Sequence, residues 1–171
     1  MISIRPEEQG DYAAVRAVNE LAFGQPEEAN IVDKLRESCD NSLSLVATRD
    51  ESVVGHILFT PVTIESGEVT IEGMGLAPMS VLPEYQRQEV GSALVRAGLS
   101  TLRKRTCPFV VVLGHAEYYP RFGFEPASKF GIKCQWEGVP DEAFMILIVD
   151  EKAMKDASGI AKYRDEFDEA M

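Results

Sequence analysis

Cysteine is scarce in this chain and forms no pattern. Cys39, Cys107 and Cys134 are three in number and far apart. Without a Cys-x-x-Cys pair they support neither a disulfide framework nor a zinc site. Reduced thiols in a cytoplasmic compartment are expected. Positive charge is also in deficit, with 17 Lys and Arg against 28 Asp and Glu, a net charge of -11. That balance disfavours a broad nucleic-acid or anionic-membrane surface and suits a cationic partner, although acidity also serves solubility alone. No apolar run is long enough to span a membrane, and Met1-Ile-Ser-Ile-Arg-Pro6 lacks the pattern of a secretory signal. Repeats, low-complexity stretches and an interdomain linker are all missing, so residues 1–171 read as one domain. With 45% hydrophobic and 26% charged residues over 171 positions, the chain is long and apolar enough for a sizeable core.

Hydrophobic periodicity gives the order of elements. Ile2 and Ile4 alternate with polar residues, as in a short first strand. Asp11 is placed to cap a helix carrying Tyr12, Val15, Val18 and Leu21 on one face, and Gly24-Gln-Pro26 breaks it. Glu27 to Arg36 reads as a second helix, with acidic residues in its first turn. Leu43–Thr48 and Val53–Ile64 are β-rich around the turn Arg49–Ser52, and Ser66-Gly67 marks a further turn before Val69–Ile71. The apolar run Phe109–Leu113 suits a central strand covered on both faces, and Ala143–Val149 reads as another strand. In the tail, residues 151–171, Ile160, Tyr163 and Phe167 keep helical spacing, which predicts a helical extension docked on the domain.

The segment richest in chemistry runs from Gly75 to Leu102. An apolar run, Gly75–Val81, enters a polar turn at Leu82–Glu89, and a helix pattern follows through Val90, Leu94, Val95, Leu99 and Leu102. The free N–H groups of a first helical turn point outward, and the helix dipole favours negative charge there. Arg87 adds a guanidinium fork suited to phosphate. The same segment also reads as an ordinary helix start with a surface arginine.

Gln86-Arg-Gln-Glu-Val-Gly91 resembles the acyl-CoA pyrophosphate loop of the GNAT acetyltransferases, Arg/Gln-x-x-Gly-x-Gly/Ala. Leu113-Gly-His-Ala-Glu-Tyr-Tyr-Pro-Arg-Phe-Gly-Phe124 resembles their second core motif, and the two stand in the expected order and separation. The likeness is strongest to bacterial predicted N-acetyltransferases with the Tyr-Tyr-Pro-Arg-Phe-Gly-Phe form and covers roughly residues 1–150. It implies an α/β (α+β) domain of the GNAT type. Its mixed, largely antiparallel sheet should splay between the fourth and fifth strands, with helices on both faces. It implies acetyl-CoA as the acetyl donor, no metal, and direct transfer to the primary amine of a small molecule, peptide or protein. Members of the family often pair into homodimers through their C-terminal strands, so a homodimer is one expected assembly.

Carried onto this sequence, the resemblance assigns cofactor binding to Met79, Ser80 and Val81 at the strand exit and to Gln86, Arg87, Gln88, Glu89, Val90, Gly91 and Ser92 at the loop. Tyr119 matches the position often assigned to the general acid, whose phenol protonates the departing sulfur. The base is left open. His115, just after the fifth strand, either takes a proton or fixes the loop. Glu28 borders the expected acceptor pocket and either binds an ammonium or is a solvated helix-start residue. Asp33, Glu72 and His56 are further candidates, His56 chiefly as a histidine satisfied within the sheet. One departure stands out, because Glu89 occupies a position where the family usually has glycine. Its carboxylate is expected to weaken cofactor binding if it faces the pyrophosphate. A non-catalytic acyl-CoA-binding or sensing module is therefore an alternative reading, and an interaction scaffold a more distant one.

Overall fold

The computed structural model describes residues 1–170, so Met171 lies outside the described residues. Among the described residues, nine strands join one sheet. The first four are β1 (Ile2–Pro6), β2 (Leu43–Arg49), β3 (Ser52–Ser66) and β4 (Val69–Val81), all antiparallel neighbours. β5 (Phe109–Leu113) lies parallel to β4 and antiparallel to β8 (Phe144–Ile148), which also pairs with β6 (Glu125–Pro126). β7 (Ile132–Cys134) runs parallel to β9 (Gly159–Lys162). The helices are α1 (Tyr12–Phe23), α2 (Glu27–Ser38), α3 (Val90–Lys104) and the short α4 (Glu151–Met154).

Helices cover both faces, as the alternation within the strands requires. In β5, Phe109 and Val111 point into a layer with Ile31, Val32 and Leu35 of α2. Val110 and Val112 point the other way, toward Val90, Leu94 and Leu99 of α3. An apolar run read as a doubly covered strand is therefore the middle of the sheet. The residues from Val69 to Val81 form one long strand rather than a short strand and a separate core run.

Two features part β4 from β5. Their pairing covers only Met74–Leu76 against Val110–Val112, so the edge of β4 that faces β5 is left unpaired from Ala77 to Val81. On its other side the register slips between Ile57 and Phe59, which face Met79 and Leu76, leaving an extra residue in β4 at Ala77–Pro78. A bulge of this kind bends a strand and re-aims the residues beyond it. The result is the splay expected between the fourth and fifth strands.

Two local expectations are corrected. Asp11 stands at the N-cap position of α1, but its side chain makes no capping bond to that helix. Its carboxylate accepts the Glu8 N–H at 2.8 Å and a fork from Arg5 at 2.7 and 2.9 Å, and that guanidinium holds its carboxyl below the usual range. Nor is the tail one continuous helix. After α4, Ile160 lies in β9, which adds to the β3 edge at Thr63 and Ile64, and Phe167 lies in a short 3-10 helix, Asp165–Ala170. Spacings of three and four residues fit a helix, but here the three residues are divided between an extended strand, the link after it and that 3-10 helix. Tyr163 and Phe167 still bury themselves in the core.

Candidate active site

The turn between β4 and α3 is built to leave backbone donors outward. Gln86 Nε2 donates to the Val81 carbonyl at 3.0 Å and Gln88 Nε2 to the Glu84 carbonyl at 3.0 Å, so both amides brace the loop. Arg87 and Glu89 adopt left-handed backbone, with φ of 63° and 68°. The Glu89 carbonyl receives the Ala93 N–H at 3.0 Å, which makes Glu89 the cap residue of α3. The N–H groups of the first helical turn, at Val90, Gly91 and Ser92, have no carbonyl behind them within the helix. Above them is a cavity of about 340 Å3 lined by Met79, Val81, Tyr85, Gln86, Arg87, Glu89, Gly91, Ser92, Tyr118 and Arg121. Two guanidiniums and a helix N-terminus make it suited to an anion, and Glu89 adds a residue of opposite sign to the same lining.

The second motif closes this cavity. Tyr118 Oη and Ser92 Oγ are 3.0 Å apart, which ties the loop after β5 to the first turn of α3, and the Arg121 guanidinium stacks 4.5 Å over the Tyr118 ring. The His115 carbonyl accepts the Tyr118 and Tyr119 N–H groups at 3.1 and 3.3 Å, so the backbone of this exposed histidine turns the loop. Tyr119 is buried, edge-on to Tyr118 and Phe124. Its ring lies against Gly114, where a Cβ would stand 2.4 Å from Cε2, so that position needs glycine. Burial pushes the Tyr119 phenol far up, and it stays protonated throughout the neutral range.

A second cavity, of about 390 Å3, occupies the splay itself. Its walls are Phe23, Glu28 and Ile31 from α1 and α2, Leu76–Met79 from β4, Leu113 at the end of β5 with Gly114 and His115 just after it, and Tyr119, Trp136, Tyr163 and Phe167. Tyr119 and His115, four residues apart, thus share one space with the distant Glu28, and Met79 lines both cavities. Gln25 Nε2 reaches both Glu28 carboxylate oxygens at 3.0 and 3.1 Å and orients the group. A wider hollow of about 570 Å3 adjoins at Leu113–His115 and Trp136.

Other sequence candidates fall elsewhere. Ser80 lines neither cavity, and its hydroxyl is buried without a partner. Val90 packs its side chain into the core and offers only backbone. Asp33 is held at 2.7 Å by both Arg16 and Arg36, and Glu72 accepts from Asn41 at 3.2 Å. His56 is fully buried between Asn19 Nδ2 at 3.3 Å and Ser44 Oγ at 2.9 Å. Burial, with the Arg36 charge nearby, lowers its pKa to about 3, so it stays neutral. Burial raises the thiols of Cys107 and Cys134, away from the thiolate that a nucleophile requires. Among the described residues no cluster of three or more His, Cys, Asp or Glu is placed to hold a metal ion, and no helix is long and apolar enough to cross a membrane. Sequence reasoning missed Arg121, Trp136, Tyr163 and Phe167. Arg121 stood inside the quoted motif, and the aromatics of an otherwise charged tail were the only signal for Tyr163 and Phe167.

Residues 3–127 match the profile of a family described as Acetyltransferase (GNAT) domain. Among curated proteins, the chain is 33% identical to YhbS of Escherichia coli, an uncharacterised N-acetyltransferase, over 96% of this chain and 97% of that one. It is 46% identical to YjhQ of Escherichia coli, likewise an uncharacterised N-acetyltransferase, over 71% of this chain and 68% of that one. Two solved structures resemble it closely. The crystal structure of Escherichia coli YhbS in complex with CoA has a TM-score of 0.90 and 33% identity, covering 98% of this chain and 92% of that one. A GNAT family acetyltransferase of Brucella melitensis in complex with acetyl-CoA has a TM-score of 0.79 and 35% identity, covering 98% of both chains.

Proposed function

We propose that this chain, which belongs to the GNAT family and is an N-acetyltransferase, moves the acetyl group of acetyl-CoA directly onto the nitrogen of a primary amine. The observation that carries this reading is that one residue, Met79, lines both cavities. An anion pocket and a site for the reacting carbonyl thus border the same residue on the end of β4 whose edge toward β5 is unpaired. In this reading the pyrophosphate sits over the N–H groups of α3 between Arg87 and Arg121. The pantetheine arm follows Met79–Val81 to the splay. The relatives solved with CoA and acetyl-CoA support the same cosubstrate here.

The amine lone pair attacks the acetyl carbonyl carbon and a C–N bond forms. The C–S bond then breaks, and sulfur leaves with its electron pair. The proton lost by nitrogen balances the one gained by sulfur. Tyr119 is the donor facing the leaving sulfur. Burial keeps its proton in place, and the same dry surroundings make a bare thiolate costly, which favours donation. Glu28 and His115 line the acceptor side and stand where an amine proton can be taken. Holding the two reactants at the splay supplies the orientation that such a transfer needs.

Calorimetric titration with acetyl-CoA, with Arg87→Ala as the control, tests the reading. Saturable binding that weakens in the variant supports it, followed by thiol release with an amine panel. An intact protein that binds no acetyl-CoA would sink it. The Glu89 carboxylate at the anion cavity is the observation that favours the second reading, a binder without turnover. Saturable binding with no thiol release from any amine would support that one.

A further inference from the structure

The hollow of about 570 Å3 beside the splay cavity has no part in the transfer itself. It shares Leu113, Gly114, His115 and Trp136 with the splay cavity and no residue with the anion cavity, whose lining meets that of the splay only at Met79. The splay cavity, about 390 Å3, lies at the small end of ligand sites and must also take the thioester end of the cosubstrate. An acceptor of more than a few atoms therefore extends beyond it, and the hollow lies across the shared wall of His115 and Trp136. The two linings are alike in chemistry. Past the shared residues the hollow is walled by Val139, Pro140 and Ala143, with the exposed Glu137. The splay is rich in rings, with Phe23, Tyr119, Trp136, Tyr163 and Phe167. Neither lining includes Lys or Arg, whereas the anion cavity has Arg87 and Arg121. Their carboxylates are the half-buried Glu28, oriented by Gln25, and Glu137, whose exposed charge water screens. An ammonium thus has a partner at Glu28. A negative group on the same acceptor would lie among apolar walls and carboxylates, with no lysine or arginine to pair it.

We propose, resting on the acetyltransferase reading above, that the acceptor is a monoamine with an elongated apolar body and no anionic group, and that the hollow is the subsite for the far end of that body. The amino end meets Glu28 at the splay, the body crosses Trp136, and Val139 is the specificity residue at the far end. Val139 is half-buried and packed against the core, so it offers the hollow an apolar surface held in place from behind. Each methylene that leaves water there favours the longer acceptor.

The test measures kcat/KM for acetyl transfer to four probes: 4-phenylbutylamine, 2-phenylethylamine, phenylalanine and spermidine. The intact protein should prefer the longer phenylalkylamine over the shorter by about tenfold or more. Phenylalanine, which is 2-phenylethylamine with a carboxylate added, should fall below it by about a hundredfold. In Val139→Asp the ratio between the two phenylalkylamines should drop to within about twofold of unity, with acetyl-CoA affinity by calorimetry unchanged. A residue that only shaped its loop would alter both rates together and leave their ratio. Equal use of the two chain lengths, a ratio untouched by Val139→Asp, or preference for phenylalanine or spermidine overturns the proposal. Transfer to none of the four also overturns it. If acetyl-CoA still binds in that case, the acyl-CoA site stands and only the acceptor assignment falls; if it does not bind, the acetyltransferase reading falls with it.

Discussion

The two cavities that meet at Met79 are made in opposite ways. The one above α3 is built by backbone and two arginines within a single stretch of chain, from Met79 to Arg121, and lies wholly inside residues 3–127 matched by the family. The one at the splay is built by side chains from α1, α2, β4, β5 and the C-terminal segment, with Trp136, Tyr163 and Phe167 beyond the matched residues. A site made of backbone holds a ligand part that does not vary and tolerates many side chains. A site made of side chains on separate elements can be rebuilt without disturbing the first. In this fold the anion end therefore suits a shared cosubstrate, and the splay end suits an acceptor particular to the protein.

The largest expected effect separates the two ends at Tyr119, which lines the splay cavity and not the anion cavity. Tyr119→Phe should lower kcat by about a hundredfold, within the range for loss of a positioned general acid, while the acetyl-CoA Kd stays the same. A fall in affinity of similar size would instead make Tyr119 part of the cosubstrate site. Steady-state kinetics beside calorimetry separates the outcomes.

A second lever acts on the fold beneath both cavities. His56 pairs across the sheet with Ser80, on the strand that joins them. Its native pKa is lowered to about 3, against about 6.5 for an unfolded histidine. Between those values the unfolded chain binds one more proton than the native one. The contribution of His56 is thus full above pH 6.5 and is lost as pH falls toward 3, with a slope of about 1.4 kcal/mol per unit. Urea unfolding of the intact protein and His56→Gln at pH 7.5, 6 and 5 should show a steeper loss for the intact protein. Parallel curves would mean that the buried ring does not set the acid response.

Next come the arginines. Arg87→Ala and Arg121→Ala should each weaken acetyl-CoA binding about tenfold, or ~1.4 kcal/mol, as expected for a charge-assisted bond to phosphate. The acceptor KM should hold. Should Arg121→Ala raise only the acceptor KM, this arginine would belong to the other cavity and the division between the two ends would blur.

What the sequence made legible follows the same division. The anion loop is local, so residues adjacent in the chain are adjacent in space, and a strand–turn–helix pattern was enough to place Arg87 and the first turn of α3. The splay cavity depends on pairings far apart in sequence, chiefly Thr63 with Lys162 and Ile64 with Ala161, which bring the tail under β4. Ile160, Tyr163 and Phe167 are spaced as on a helix, and single-sequence periodicity does not register a partner strand about a hundred residues away. Likewise Asp11 has the residue type and place of a cap, but Arg5 on β1 claims its carboxylate. The doubly buried strand β5 was read correctly because its evidence, five apolar residues in a row, is contained in itself.

The smallest effect concerns the one residue at the anion end that departs from the family pattern. Glu89 has a left-handed backbone, φ 68° and ψ 9°, a conformation that disfavours any residue with a Cβ by about 1–2 kcal/mol. Glu89→Gly relieves this, but glycine also gives the unfolded chain more freedom, which offsets about 0.4–1 kcal/mol of the gain. Thermal stability should therefore change little, and affinity becomes the informative quantity. Removing a carboxylate from the rim of an anion cavity should tighten acetyl-CoA binding severalfold, an effect on the order of 1 kcal/mol at low salt. At 1 M salt, where the screening length is about 3 Å, that gain should shrink. A gain that survives high salt would mean that glycine acts by letting backbone approach the pyrophosphate more closely, not by removing charge. An unchanged Kd at low salt would mean that the carboxylate turns to solvent, and the anion end would then owe its selectivity to backbone and arginines alone.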